Sequence, residues 1–206
     1  MLTTNAADLR LKSKSLKNII THFKSAIFSV QETHFRRKGR FRMKDYHIFE
    51  SIRKNKEQGG TLLGVQVGLK PVLIKEYNDT FELLVVEVIV ANKNIRLITG
   101  YGPQENWDIN ERTPFYTALE EEIAAAELQG RSIIITMDAN AKLGPDFIAE
   151  DPYNQSPNGK LLAGLVSRHA LCVVNGLTEK KERLNHKTKE HSVRCSKKYN
   201  RFCDSQ

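Results

Sequence analysis

The stretch that decides the fold is Ile133-Ile134-Ile135-Thr136-Met137-Asp138-Ala139-Asn140-Ala141-Lys142-Leu143-Gly144. Its β-branched residues form a run too short for a helix, and the run ends in a carboxylate, an amide and a glycine. This pattern predicts a buried strand that carries polar side chains at its C-terminal end, the edge at which open α/β sheets bind ligands. Asp138 and Asn140 lie two positions apart, so continued strand geometry points them the same way.

An acid beside a neutral amide suits phosphate chemistry. A carboxylate such as Asp138 can hold a metal ion or orient a water molecule. The Asn140 amide can contact a phosphate oxygen without repelling it. The alternative is an Asx-turn at the end of an ordinary strand, and these residues alone do not choose between the two.

Composition predicts a single intracellular domain. The chain has 206 residues, enough for one domain with a substantial core. It contains no apolar run of ~18 residues, so no membrane partner is expected. No signal-peptide pattern follows Met1, which favours an intracellular location, the nucleus included. The three cysteines form no CxxC pair, so neither disulfides nor structural zinc are expected.

The positive charge is concentrated in the last part of the chain. The net charge is +8, and residues 178–206 hold nine Lys or Arg against four Asp or Glu, a net of +5. We therefore expect a domain over residues 1–177 and a basic, irregular tail over 178–206. Such a tail favours a polyanionic partner through non-specific attraction, although a solvated, disordered end has the same composition.

Hydrophobic periodicity predicts a mixed α/β fold with two packed sheets and helices outside them. An Asn-Lys-Asn turn at 92–94 predicts a β-hairpin. The predicted helices cover 13–23, 111–128 and 157–169. The predicted strands cover 2–5, 27–31, 46–49, 61–67, 81–90, 95–99, 133–138 and 171–174.

Four of these strand-like runs end in polar residues, which form a candidate site: Asn5, Glu32, Tyr101, Asp138 and Asn140. Each has a structural explanation when taken singly, as a turn residue, a surface acid or half-buried packing. Their shared position at strand ends favours a common role. Because Mg²⁺ keeps several waters and binds substrate phosphates, two acids, two amides and a phenol suffice for much of a metal-assisted phosphodiesterase.

Several motifs in order resemble the endonuclease/exonuclease/phosphatase superfamily, and most of all the AP-endonuclease-like domain of non-LTR (LINE-type) retrotransposons. The motifs are Gln31-Glu32-Thr33-His34, Gly59-Gly60, Tyr101-Gly102-Pro103, the stretch from Met137 to Gly144, and Asn158-Gly159-Lys160-Leu161-Leu162. The resemblance covers about residues 2–177. It implies an α/β fold of the α+β type, a four-layer, DNase-I-like two-sheet β-sandwich flanked by helices. It also implies DNA as the partner and Mg²⁺, or Mn²⁺ in its place, as the cofactor.

The resemblance also implies a role for each candidate residue. Glu32 matches the metal-binding glutamate of the family, and Asn5 matches the amide of its opening motif. Tyr101 matches the phenol that contacts the scissile phosphate. Asp138 matches the aspartate that orients or deprotonates the attacking water, and Asn140 matches the amide beside the phosphate.

The sequence departs from the family pattern at both ends. Ala7 and Asp8 stand where relatives carry Asn or Asp and then Gly. The family also has an aspartate-bearing strand and a terminal Ser-Asp-His, but this chain holds no Asp-His pair. Ser192-Val193 echoes the start of that strand, and Arg194-Cys195 does not continue it. We therefore expect a fold that is incomplete at its C-terminal end, with weakened or absent endonuclease activity.

Two other functions remain open at this point. One is a phosphoesterase of the same superfamily that acts on inositol phosphates or phospholipid headgroups. The other is a non-catalytic remnant that binds nucleic acid through its basic tail. The continuation Lys142-Leu143-Gly144 and the helix start at Asn158 favour the retrotransposon likeness over the first of these. The sequence does not predict an oligomeric state.

Overall fold

Two β-sheets form the body of the protein. The computed structural model describes residues 1–52, 59–147, 154–174 and 192–196. The first sheet contains β1 (Leu2–Asn5), β2 (Ile27–Gln31), β3 (Tyr46–Ser51) and β4 (Thr61–Gln66), in the order β1-β2-β4-β3. The second contains β5 (Val72–Tyr77), β6 (Glu82–Val90), β7 (Lys93–Tyr101), β8 (Ser132–Asp138) and β9 (Ser192–Ser196), in sequence order.

Each sheet contains one parallel pair of strands. Strand β1 runs parallel to β2, and β7 runs parallel to β8. All other neighbours are antiparallel, including the predicted hairpin of β6 and β7. Parallel neighbours end at the same edge of a sheet, so this topology sends the polar residues that follow β1, β2, β7 and β8 toward one end of the sandwich.

Helices cover the outer face of each sheet. Helix α1 (Leu9–His22) packs Leu9, Leu16 and Ile20 against Phe28 and Val30 of the first sheet. Helices α2 (Ile109–Leu128) and α3 (Pro157–Arg168) cover the second sheet over a larger core that includes Phe115, Leu119 and Ile135.

A third cluster lies between the sheets, with Ile27, Leu63 and Val65 facing Leu84, Val86 and Leu97. Side chains alternate between the two faces of a strand, so β2 and β6 each contribute to two of the three clusters. The four layers are helix, sheet, sheet and helices. The predicted two-sheet β-sandwich of α+β type is therefore confirmed.

Some predicted elements differ from the observed ones. Helix α1 begins at Leu9 rather than at residue 13, because the Asp8 side chain accepts a hydrogen bond from the Arg10 N–H and caps the helix. The strand predicted at 171–174 is wrong, since only Val173 forms an isolated bridge there. Strand β5 is absent from the sequence prediction, because its first four residues are exposed and lack a clear alternation.

The basic tail contributes one strand among its described residues. Strand β9 pairs antiparallel with β8, with Ser192 opposite Asp138 and Ser196 opposite Ile134. These five residues are therefore regular, contrary to the irregular tail that the composition predicts. The other residues of the tail lie outside the described part of the chain, and a domain boundary near residue 177 stays a prediction. In the described part, no helix is both long and apolar enough to cross a membrane.

Candidate active site

Asn5 and Asp138 meet across the two sheets. The Asn5 Nδ2 donates to Asp138 Oδ2 at 2.7 Å, although the two residues are 133 positions apart. The Asn5 Oδ1 accepts from the Ala7 N–H at 2.9 Å, which fixes the amide orientation. The Asn140 N–H donates to Asp138 Oδ1 at 3.1 Å. Amide groups from two strand ends therefore hold a carboxylate that is only 9% exposed.

Tyr101 and Glu32 form the second pair. The Tyr101 hydroxyl donates to Glu32 Oε1 at 2.9 Å. Burial, followed by the negative charge of Glu32, raises the pKa of Tyr101 to about 12. The phenol is therefore protonated at neutral pH and remains a donor to the carboxylate. Glu32 itself is half-buried.

Strand pairing joins the two pairs into one group. Tyr101 lies opposite Asp138 in the parallel pairing of β7 and β8. Asn5 lies opposite Gln31, the residue before Glu32, in the pairing of β1 and β2. Asn140 completes the group, because its Nδ2 donates to the Gly102 carbonyl at 2.9 Å. The structure thus places all five sequence-predicted site residues at one end of the sandwich, and their catalytic and metal-binding roles stay predictions.

The backbone at these strand ends is unusual. Among the residues that follow β1, β2 and β8 near the site, five non-glycine residues have positive φ, namely Ala7 (44°), Asp8 (92°), Glu32 (54°), His34 (53°) and Asn140 (44°). Such conformations cost on the order of 1–3 kcal/mol each and cluster at functional sites. Here the left-handed turns end the strands, so the polar residues that follow leave the sheet and face the shared edge.

Gly102 allows β7 and β8 to stay in contact beyond their last pair. Its N–H donates to the Asp138 carbonyl at 2.7 Å. A Cβ at this position would lie 2.6 Å from the Ala139 carbonyl oxygen, which excludes any side chain. The glycine of the Tyr101-Gly102-Pro103 motif is therefore required by a close approach of two backbones at the site.

Asn158 is a positioning residue that the sequence indicates as a helix start and as part of the Asn158-Gly159-Lys160-Leu161-Leu162 motif, without a role at the site. Its side chain is fully buried, and Nδ2 donates to the carbonyls of Pro103 at 2.7 Å and Asn140 at 3.0 Å. It therefore ties the loops that follow β7 and β8 to helix α3. Ser156 caps this helix through the Gly159 N–H, which places Asn158 in its first turn. The sequence signal for Asn158 is a polar residue at a predicted helix start.

Glu82 is a buried acid near the site that the sequence does not indicate. It is fully buried and accepts a hydrogen bond from the Gly60 N–H at 3.1 Å. It lies opposite Tyr101 in the pairing of β6 and β7. Glu82 begins a predominantly apolar strand, so only the tertiary structure places it beside the two glycines of the Gly59-Gly60 motif.

The residues present fit a water-rich Mg²⁺ site. Within the described ranges, no group of three or more His, Cys, Asp or Glu could hold a metal ion. Mg²⁺ is usually bound through one or two carboxylates, with water and substrate phosphate completing its shell. The carboxylate of the half-buried Glu32 meets that requirement, and carboxylate oxygens are ligands of the type that Mg²⁺ prefers.

Comparison with solved structures finds the same fold in several nucleases. The endonuclease domain of TRAS1, a telomere-specific non-LTR retrotransposon, is 21% identical, covers 84% of this chain and 74% of its own, and has a TM-score of 0.59. The AP endonuclease LMAP from Leishmania major has a TM-score of 0.65 at 13% identity, over 84% of this chain and 67% of that one. The 3′ phosphatase NExo from Neisseria, bound to a product DNA hairpin, has a TM-score of 0.58 at 15% identity, over 81% and 70%.

No family model matches the sequence, and no curated protein is similar to it. The structural likeness stands at identities of 13–21%, and at that level it establishes the fold alone. The resemblance to the endonuclease/exonuclease/phosphatase superfamily, with its DNase-I-like sandwich, is therefore confirmed for the fold.

Proposed function

We propose that this protein is a metal-dependent endonuclease-like domain that cleaves phosphodiester bonds in DNA, with low activity. The observation that carries the proposal is that both site acids accept hydrogen bonds from other candidate site residues at one end of the sandwich. Glu32 is bonded to the Tyr101 hydroxyl at 2.9 Å and Asp138 to the Asn5 amide at 2.7 Å. These hydrogen bonds from a phenol and an amide orient the two carboxylates at the shared end of the sandwich.

Each candidate site residue has a separate role in the proposed reaction. Asp138 orients the attacking water and accepts its proton, a contribution on the order of a hundredfold. Asn5 and the Asn140 N–H hold the Asp138 carboxylate in position. Tyr101 orients Glu32, the expected ligand of Mg²⁺ or Mn²⁺. When bound, that ion supplies positive charge for the phosphoryl oxygens.

Low activity follows from the small number of ligands at the site. Mg²⁺ binding is proposed to depend on Glu32 and to be weak, because the second acid that the resemblance leads one to expect is not found in the sequence pattern. Ala7 contributes only its backbone N–H beside Asn5, at a position where the resemblance leads one to expect an amide or an acid. Loss of single electrostatic contacts of this kind costs about 2.7–4 kcal/mol of transition-state stabilisation.

DNA as the substrate is supported by the net charge of +8 and by the fold shared with a phosphatase that is bound to product DNA. A retrotransposon origin rests on the sequence motifs, with the TRAS1 domain as a structural likeness. The genomic sequence downstream tests the origin, because a reverse-transcriptase reading frame is expected there.

A plasmid-nicking assay with Mg²⁺ or Mn²⁺ tests the function. Wild-type protein is expected to nick slowly, with a turnover well below the ~1–10³ s⁻¹ of ordinary enzymes. Asp138→Ala is the background control, and Asp45→Asn removes an acid that lies before β3, away from the strand-end group. We expect Asp138→Ala to lose the nicking and Asp45→Asn to keep it.

Three results would contradict the proposal or a part of it. Equal nicking by wild type and Asp138→Ala would exclude cleavage at this site. Salt-sensitive DNA binding in a gel shift, without nicking by the wild-type protein, would instead identify a non-catalytic nucleic-acid-binding domain. Turnover in the ordinary range would overturn the low-activity part of the proposal.

A further inference from the structure

Two adjacent segments give the folded body a strongly basic face of its own. They are helix α1 and the loop at 36–44, and together they hold ten Lys or Arg and no Asp or Glu. Their charge of +10 exceeds the net charge of +8 of the whole chain. Because residues 178–206 carry +5, the rest of the first 177 residues carries −7. A body with one basic face and an acidic remainder attracts a polyanion from one side.

The two segments of the basic face pack against each other. Lys17 Nζ of α1 lies 5.3 Å from the ring centroid of Phe41 in the loop. Arg10, Lys14 and Lys17 are spaced at i, i+4 and i+7, so they share the side of α1 that meets the loop. Of the ten cations, only Lys17 is half-buried, and the other nine are exposed.

A groove of about 440 Å³ lies between α1 and the chain that follows β2. Arg10 and Ser13 line it from the helix, and Phe35, Arg36 and Arg40 line it from the other side. A guanidinium binds a phosphate through paired N–H groups, so three of them around one groove suit a phosphate group.

Acidic neighbours neutralise only part of the basic face. Asp8 pairs with Arg10, and Glu76 of β5 pairs with Lys38. The exposed Asp45 directly follows the loop. Two ion pairs and one neighbouring acid leave most of the +10 in place.

The basic face begins beside Glu32 of the candidate active site. The Asp8 N–H donates to the Glu32 carbonyl at 3.0 Å, and the Leu9 N–H donates to the Thr33 carbonyl at 3.2 Å. Helix α1 therefore starts against the residues that follow β2, and Arg36 lies only four positions after Glu32. A phosphate backbone that lies on the basic face can continue to the strand-end residues.

The two phenylalanines of the basic face are not presented to a ligand. Phe35 is 6% exposed and Phe41 is 2% exposed. Proteins bind single strands by stacking bases on exposed aromatic side chains, whereas a duplex presents two closely spaced rows of phosphates. Exposed cations beside buried rings therefore suit the backbone of a duplex better than the bases of a single strand.

We propose that the basic face binds the phosphate backbone of double-stranded DNA, with one phosphate in the groove between α1 and the loop. The choice of DNA as the polyanion rests on the proposed function. Binding through this face requires neither a metal ion nor the basic tail. It depends little on base sequence, because contacts to phosphates carry no sequence information directly.

Anisotropy titration of a labelled duplex in EDTA, between about 50 and 200 mM salt, tests the basic face. Lys14→Gln/Arg40→Gln removes two exposed cations that form no hydrogen bond or ion pair within the described ranges. We expect duplex binding to weaken about tenfold or more, because contacts to charged groups are lost. The slope of log affinity against log salt should become shallower by about 2, since each phosphate contact contributes about 0.9. The corresponding single strand should bind wild-type protein more weakly than the duplex does.

Two variants with the same loss of charge are the controls. Lys70→Gln/Lys93→Gln removes exposed cations at the opposite end of the sandwich, since Lys70 follows β4 and Lys93 begins β7, which ends at Tyr101. Lys197→Gln/Lys198→Gln removes two cations of the tail. Both variants are expected to bind the duplex with the affinity and the salt dependence of wild type.

The proposal is overturned if Lys14→Gln/Arg40→Gln binds the duplex as wild type does, or if the tail variant loses as much affinity. It is also overturned if the single strand binds as tightly as the duplex, or if poly-glutamate displaces the duplex as well as unlabelled duplex does at equal charge. Because binding is measured without metal, nicking by wild type together with unchanged duplex binding by Lys14→Gln/Arg40→Gln would reject this face and leave the proposed function intact. Duplex binding through this face without nicking would do the reverse.

Discussion

The acids at the strand ends differ from the acids under helix α2 in the partners that hold them. Glu32 and Asp138 bond to a phenol and an amide, which are neutral. Glu87 instead accepts from Arg96 at 2.7 Å and from Arg131 at 3.3 Å. Burial opposes ionisation of Glu87, but the two arginines outweigh it and hold its pKa below the ordinary value.

The difference separates a stabilising ion network from a candidate reactive site. Arg96 is 3% exposed, and it also donates to Gln129 at 2.9 Å, so it joins β7 to the end of α2. Glu122 completes the network through an ion pair with Arg96 at 3.8 Å, and it also accepts from the Tyr77 hydroxyl at 2.8 Å. Paired charges of this kind are neutralised within the protein. The strand-end acids are instead oriented by an amide and a phenol of the candidate site itself.

The largest expected effect comes from Arg96→Met. Removal of one partner leaves Glu87 and Glu122 with less compensation in a buried setting, and we expect a loss of about 3–5 kcal/mol in the free energy of unfolding. Urea denaturation measures it. Arg168→Met is the matched control, because Arg168 forms a two-hydrogen-bond pair with Glu120 at side-chain exposures of 56% and 35%. The control should lose less than about 1 kcal/mol. Similar losses for both variants would remove the distinction between the network and an ordinary surface pair.

Glu32→Gln is expected to affect metal binding rather than stability. The variant keeps an acceptor for the Tyr101 hydroxyl, so the free energy of unfolding should change by less than about 1 kcal/mol. Weak Mg²⁺ binding by wild-type protein, followed by calorimetry, should disappear in the variant because the charged ligand is gone. Glu87→Gln serves as the comparison, and it should lower stability while the Mg²⁺ heats remain. Equal heats in wild type and Glu32→Gln would exclude Glu32 as the metal ligand.

The smallest expected effect is that of Tyr101→Phe. Loss of the hydrogen bond to Glu32 should lower stability by about 1 kcal/mol at pH 7–9. The folded state raises the pKa of Tyr101 from 10.0 to about 12, so the contribution is fully present below pH 10 and declines as the pH rises toward 12. Denaturation of both proteins at pH 7, 9, 10 and 11 measures the difference between them. A difference that stays constant through pH 11 would show that the phenol is not shielded in the folded state.

Local sequence patterns are sufficient for most of the elements that carry the site. The strand predicted at 27–31 coincides with β2, and the predicted run at 133–138 lies within β8. In both cases a dense β-branched or apolar run ends in an acid, and burial on both faces produces that pattern. Strand β5 lacks the pattern because it is an exposed edge strand. Strand β9 also lacks this apolar pattern, and only its pairing with β8 identifies it as a strand.

The candidate site also contains residues that local sequence patterns indicate and residues that they do not. Residue types and their positions at strand ends are enough to indicate Asn5, Glu32, Tyr101, Asp138 and Asn140 as a group. No local pattern indicates the buried Glu82 or the role of Asn158, whose partners are backbone carbonyls at residues 103 and 140. Hydrogen bonds between distant segments leave no periodic trace in the sequence, so such positioning residues appear only when the chain is folded.

The sequence by itself determined which polar side chains stand at the ends of the strands, because side-chain alternation and turn residues are local properties of the chain. Tertiary structure decided which of those side chains meet. In each sheet one parallel pairing brings two strand ends together, β1 with β2 and β7 with β8. The packing of the two sheets then brings Asn5 to Asp138 and Tyr101 to Glu32 at one end of the sandwich.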